Sequence, residues 1–110
     1  MANTFKSKRS QNVGTSLTKV ASYDVPASTQ TTVIGLTICN TTANPITVSA
    51  TVFDGTNDTY LVKDATLIAG SAIVPIGDAQ KVVLETGHSI RVKSSAASSV
   101  DVTMSILEIA

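Results

Sequence analysis

The sequence predicts an all-β protein, an antiparallel two-sheet β-sandwich of seven or eight strands with an extended N-terminal arm. Three observations predict it. Ser and Thr make up 29 of the 110 residues, and Val, Ile, Leu and Ala supply the apolar bulk, with two Phe, two Tyr and no Trp. Thr and Val suit a half-buried pleated surface. Apolar residues recur every second position instead of at helical spacing. Turn signals return at roughly 8–12-residue intervals, as in a sandwich or small barrel. The length suits one domain, which removes about two-thirds of its unfolded surface from water.

Residues 1–16, MANTFKSKRSQNVGTS, show neither period and hold few apolar side chains. Alone they bury too little to offset their ordering entropy, so they are expected to form an arm, with the sandwich over 17–110. Removing the arm is expected to leave the body folded. "LTKVASY" is a first, weak strand, followed by turn residues Asp24, Pro26 and Ser28. "TTVIGLTIC" sets Ile34, Leu36 and Ile38 on one face against Val33, Gly35, Thr37 and Cys39. "NTTANP" is a loop, with Asn44-Pro45 starting a turn. "ITVSATVF" alternates cleanly, Ile46, Val48, Ala50 and Val52 inward, Thr47, Ser49 and Thr51 outward.

"DGTND" is a hairpin turn, because Asp-Gly tolerates positive φ, and "TYLVKDATLI" is its return strand. In "AGSAIVPIGDAQ", Pro75 removes a ladder donor, so a strand there is an edge or a kink. "KVVLETGHSIRVKS" reads as a second hairpin turning at Thr86-Gly87. "SVDVTMSILEI" places Val100, Val102, Met104 and Ile106 on one face. The adjacent Ile106 and Leu107 suggest a β-bulge there.

Net charge is zero, yet it is divided. Residues 1–23 carry Lys6, Lys8, Arg9 and Lys19 and no acid, while the remainder has four bases and eight acids. The front is +4 and the body −4, so the two attract each other within or between subunits. Cys39 is the only cysteine, which excludes an internal disulfide; its apolar setting suggests a small buried side chain. No run approaches the roughly 20 apolar residues of a membrane span. The N-terminus lacks the apolar segment of a signal peptide, which implies a protein made and used without Sec export.

Catalytic chemistry is poorly supplied. His88 is the only histidine and lies in a turn beside Ser89, and neighbours on a strand face opposite ways. No nucleophile–base pair follows, so no catalytic residue and no cofactor is expected. Asp54, Asp58, Asp64 and Asp78 gather at loops but lack the spacing of an EF-hand. One Cys and one His cannot build a zinc site within one subunit. The glycines at 35, 55, 70, 77 and 87 are single, so there is no phosphate loop. The Asn40 and Asn57 glycosylation patterns are chance matches without export.

Lys6, Lys8 and Arg9 could neutralise phosphates. Phe5 is the only aromatic beside them and the body is acidic, which argues against nucleic acid. A glycan would need flat aromatic platforms, and only Tyr60, near the Asp-Gly turn, could offer one.

The stretch "IAGS…VVLETGHSIRVKSS…VDVTMSILE" resembles small virion structural proteins of tailed bacteriophages that sit among head, neck and tail components. The likeness runs from about Val33 to the C-terminus and brings no catalytic residues. It implies a repeated virion subunit assembled in the host cytoplasm. The arm residues Phe5, Lys6, Lys8 and Arg9 would then dock on a neighbouring copy or another head, neck or tail protein. A 16-residue extended arm reaches up to about 50 Å. The competing expectation is a receptor- or glycan-binding or capsid-decorating module, presenting the loop at Thr56, Asn57 and Tyr60.

Overall fold

The computed structural model describes residues 3–77 and 80–110. These form nine strands: β1 (Asn3–Val13), β2 (Thr18–Lys19), β3 (Gln30–Asn40), β4 (Ile46–Phe53), β5 (Asp58–Leu67), β6 (Ala72–Ile76), β7 (Val82–Leu84), β8 (Ser89–Ser94) and β9 (Val100–Ile109). A single 3₁₀ turn covers Val20–Ser22. One sheet runs β1-β9-β3-β6, with β7 also on β3; the other runs β2-β8-β4-β5. All pairings are antiparallel.

The order has a simple origin. β4 pairs with β5, β3 with β6 and β7, β2 with β8, and β1 with β9. These nested pairs are one long hairpin centred on the Asp-Gly turn. Rolling it up adds the β3–β9 and β4–β8 contacts and divides it between two sheets. The result is a jelly roll, an all-β sandwich built from Greek keys. Inward residues of β3, β4, β8 and β9 fill it, among them Leu36, Ile38, Val48, Ile90, Met104 and Ile106, all essentially buried.

The clearest sequence signals correspond to what is seen. β4 and β5 join across Asp54–Asn57, where Gly55 has φ +97°. β6, with Pro75, pairs among the described residues only with β3 and is an edge. Val100, Val102, Met104 and Ile106 all point into the core.

Elsewhere the structure departs from or adds to the sequence reading. The segment expected to be an arm lies, from Asn3 to Val13, as a strand along β9 of its own subunit, pairing from Asn3↔Ile109 to Val13↔Val100; Met1 and Ala2 lie outside the described residues. Its pairing comes from the exposed backbone edge of β9, which a side-chain period does not reveal. The proposed bulge at Ile106–Leu107 is absent, because β9 keeps its alternation to the buried Glu108. A bulge lies on β3 instead, between Val33 and Gly35, and turns Val33 inward beside Leu36 and Ile38.

Residues 82–94 are not a hairpin. β7 lies on β3 and β8 on β4, so the chain crosses between sheets at Thr86-Gly87. The expected strand over "LTKVASY" shrinks to Thr18–Lys19 before the 3₁₀ turn. Ser49 and Thr51 are covered rather than outward-facing to solvent, since β4 is flanked by β5 and β8. Ser49 Oγ accepts the Asp64 N–H (2.9 Å), and Thr51 Oγ1 donates to Asp58 Oδ1 (2.7 Å). Cys39 is half-buried, not fully so.

Candidate functional site at the β1 edge

The charges singled out in the N-terminal segment sit on one long edge strand, and alternation divides them. Lys6 and Lys8 lie opposite Ile106 and Met104, on the inward side of the sheet. Phe5 and Arg9 lie opposite Leu107 and Thr103, on the outward side. Phe5 is 73% exposed.

Inward, β1 meets polar groups. Glu108 is the last inward residue of β9, and Thr31 of β3 stands opposite it. Behind the 3₁₀ turn, Tyr23 reaches the same place. Its hydroxyl donates to Glu108 Oε2 (2.6 Å) and lies 2.8 Å from Thr31 Oγ1. Lys6 Nζ meets Glu108 Oε1 at 2.8 Å; the Glu108 side chain is 10% exposed and that of Lys6 42%. Lys8 Nζ stands 5.1 Å from the Tyr23 ring centroid, within cation–π range. Further along, Ser10 Oγ accepts the Ala21 N–H (2.7 Å), and Asp101 Oδ1 accepts the Asn12 N–H (3.2 Å).

This arrangement fixes protonation states. The hydrogen bond from Lys6, then that from Tyr23, hold the Glu108 carboxyl below its ordinary pKa. Burial, then the bond to Glu108, push the Tyr23 hydroxyl up to about 12. At neutral pH the glutamate is an anion and the tyrosine a neutral donor. The cluster can therefore hold a cationic strand against β9. The opposed charges of front and body are thus partly matched within one subunit, at Lys6–Glu108 and Lys19–Asp24 (2.8 Å).

On the outward face, cross-strand register aligns Phe5, Leu107, Thr32 and Val83 in one row across β1, β9, β3 and β7. Phe5 and Val83 are both largely exposed.

The remaining candidates are dispersed. Asp54 Oδ1 accepts the N–H groups of Thr56 (2.9 Å) and Asn57 (2.7 Å). Those backbone bonds lower its pKa and make it a turn-former. Asp58 faces Arg91 (3.6 Å), which also stacks 4.3 Å from the Phe53 centroid. Asp78 lies outside the described residues. Among the described residues no group of three His, Cys, Asp or Glu side chains could hold a metal. His88 Nδ1 accepts the Glu85 N–H (3.3 Å) within its turn. Lys63 Nζ lies 5.4 Å from the centroid of Tyr60, the ring expected as a glycan platform. Thr15, Thr47, Ser49, Asp64, Lys93, Ser94 and Ser95 line a polar cleft of about 130 Å³ beside β4.

Sequence reasoning missed Glu108, Tyr23 and Thr31. The available signal was positional: extending the inward series Val100, Val102, Met104, Ile106 by one step lands on an acid. A charge at an inward position requires a partner.

No protein-family model matches this chain, and no curated protein matches it by sequence. Solved structures do. Over 98% of its length the chain is similar to a chain in the structure of the infectious bursal disease virus Gx strain, with a TM-score of 0.55, 16% identity and 33% of that chain covered. The corresponding values for the Gt strain of the same virus are 98%, 0.52, 14% and 30%. A chain of the Bacillus endospore appendages, described as a novel family of disulfide-linked pili, aligns over 97% of this chain and 89% of its own, at a TM-score of 0.49 and 14% identity. The chain thus spans about a third of the virus chains it resembles. At these identities the likeness concerns the fold.

Proposed function

We propose that this protein is a non-enzymatic structural subunit of a virus particle that associates with copies of itself. Within that class, the resemblance of residues 33–110 to small virion proteins favours a tailed-phage head, neck or tail component, assembled in the host cytoplasm. The observation that carries the reading is the rolled-up nested hairpin, which aligns along nearly its whole length with a chain of a virus structure. The Phe5–Leu107–Thr32–Val83 row supports it, because it carries two exposed apolar side chains, Phe5 and Val83, at its ends, and exposed apolar surface marks interaction sites.

The arm residues take separate roles in this reading. Phe5 and Arg9 face outward and are the contacts for a neighbouring copy or another virion protein. Lys6 and Lys8 hold the strand that presents them. The test is to purify the full chain and measure its mass in solution by light scattering while imaging it by electron microscopy. Discrete rings, shells or a fixed oligomer are expected, with Phe5→Ser weakening assembly while leaving thermal stability near wild type. A strict monomer at every concentration, alone and with virion partners, overturns the proposal.

A further inference from the structure

Strand β1 is attached unlike β3 and β9, the other long strands of its own sheet. β3 and β9 each bury alternate side chains, whereas β1 buries only Val13, at its last position. Its inward positions before that are Thr4, Lys6, Lys8 and Ser10, all hydrophilic. Lifting residues 3–11 away therefore takes no apolar side chain out of the core. It would, however, leave β9 with a bare backbone edge and Glu108 without its cation.

A break in the strand marks where such a movement would occur. The ladder to β9 is interrupted between Ser10 and Val13, and Asn12 has φ +56°, a conformation Asn tolerates better than most residues. Beyond the break the chain is tied to its own body: the N–H of Ser99 donates to Val13 O (3.0 Å) and that of Ser94 to Gly14 O (2.9 Å). Residues 3–11 thus form a polar, cationic strand on a defined hinge, and β9 with Glu108 and Tyr23 forms a matching acidic receiver.

We propose that this strand is exchanged between copies. In the assembled state, residues 3–11 of one subunit pair with β9 of a second, Lys6 meeting Glu108 of the partner subunit, and the exchange is returned across a two-fold axis. Every backbone bond and the Lys6–Glu108 contact can be remade in trans. The balance between the closed and exchanged forms is then set by the local concentration of neighbours, which assembly raises. This inference rests on the self-associating role proposed above, with a second copy of this chain as the committed occupant of the β9 edge.

Ser7 and Ser105 are direct register partners on the exposed face, and the spacing of such partners suits a disulfide. Two full-length chains are made in a Cys39→Ser background, one with Ser7→Cys and the other with Ser105→Cys. They are refolded together under assembly conditions and oxidised. Exchange predicts a mixed covalent dimer as the main product, read by mass spectrometry on a non-reducing sample. A companion chain carrying both cysteines should shift from one-chain to multi-chain mass on oxidation. If that chain oligomerises but closes its disulfide only internally, exchange is overturned and the structural-subunit reading stands. A chain that never self-associates overturns both. Charge reversal supplies an independent measurement: Lys6→Glu and Glu108→Lys chains should each assemble poorly and recover on mixing. Mixtures that behave as the sum of their parents, while the Lys6→Glu/Glu108→Lys double variant assembles, count against exchange.

Discussion

Replacing Glu108 with Gln probes the polar lock beneath β1 with almost no change of shape. Glu108 accepts a 2.6 Å bond from the Tyr23 hydroxyl and a 2.8 Å bond from Lys6. Hydrogen bonds to a charged group contribute about 1.5–3 kcal/mol each where shielded, and pairs with an exposed partner about 1 kcal/mol or less. The Tyr23 bond is buried and takes the larger figure; Lys6 is 42% exposed and takes the smaller. Glutamine keeps one neutral acceptor, so the loss at neutral pH should be about 2 kcal/mol. For a domain of this size that is a fall in Tm of roughly 10 °C. The pH dependence has a definite sign. Folding lowers the Glu108 pKa, so the unfolded chain takes up the proton first. The contribution is complete above the ordinary carboxylate range and is lost as pH falls through the lower folded value. Urea denaturation of wild type and Glu108→Gln, repeated from neutral to acid pH, should show a gap that closes on acidification. A Tm change below about 2 °C, or parallel acid limbs in the two proteins, would refute the reasoning.

Asn40 is buried and joins two loops: its Nδ2 donates to Asn44 O (2.9 Å), Leu67 O and Ile68 O (both 3.2 Å), and its Oδ1 accepts from Thr42 N (2.9 Å) and Thr42 Oγ1 (2.8 Å). Asn40→Asp would turn an oxygen toward three carbonyls and should lower stability by about 3 kcal/mol or more, measured by chemical denaturation. Ile106→Ala, at a fully buried position between the sheets, should remove about 2–5 kcal/mol by opening a cavity, seen as a lower denaturation midpoint with unchanged m-value. Deleting residues 1–11 should lower Tm and promote aggregation on a size-exclusion column, because it bares the edge of β9; unchanged behaviour would support the sequence-based expectation of an independent arm.

The parts of the fold that were legible are those whose signal is local. The alternation of β4 and β9 reports one buried face, the Asp54-Gly55 pair reports a positive-φ turn, and Pro75 reports an edge. Tertiary choices left no such mark. The chain from Val82 to Ser94 carries a good turn at Thr86-Gly87, but nothing local decides whether the second strand returns to its predecessor or crosses to β4. The β3 bulge exchanges the faces of Ile34 and Val33 without altering a residue. β1 was hidden most completely. A strand held by an edge ladder and polar side chains has no apolar period, so composition alone makes it indistinguishable from a tail. Part of the site was visible as a cluster of cations; its counterpart, Glu108, lies about a hundred residues away along the chain and is found only through register.

The edges also constrain how copies can meet. Among the described residues the two sheets end in five outer strands, and four are blunted. β2 has two residues, β7 has three residues, β6 contains Pro75, and β5 is irregularly paired with β4 and kinked at Asp64, whose φ is +51°. Such features discourage a further strand from adding. β1 is the long edge with a regular ladder, from Asn3 to Ser10. Two β1 strands laid antiparallel about a two-fold at Ser7 would set Lys6 of each against Lys8 of the other, and like charges across a ladder are destabilising. Simple extension of the sheet through twin β1 edges is therefore disfavoured by the residues that make β1 soluble. Exchange avoids the conflict, because each cationic β1 then meets β9 and its buried acid instead of another β1. The same charges that protect the edge against indiscriminate pairing select the one partner strand whose Glu108 matches them.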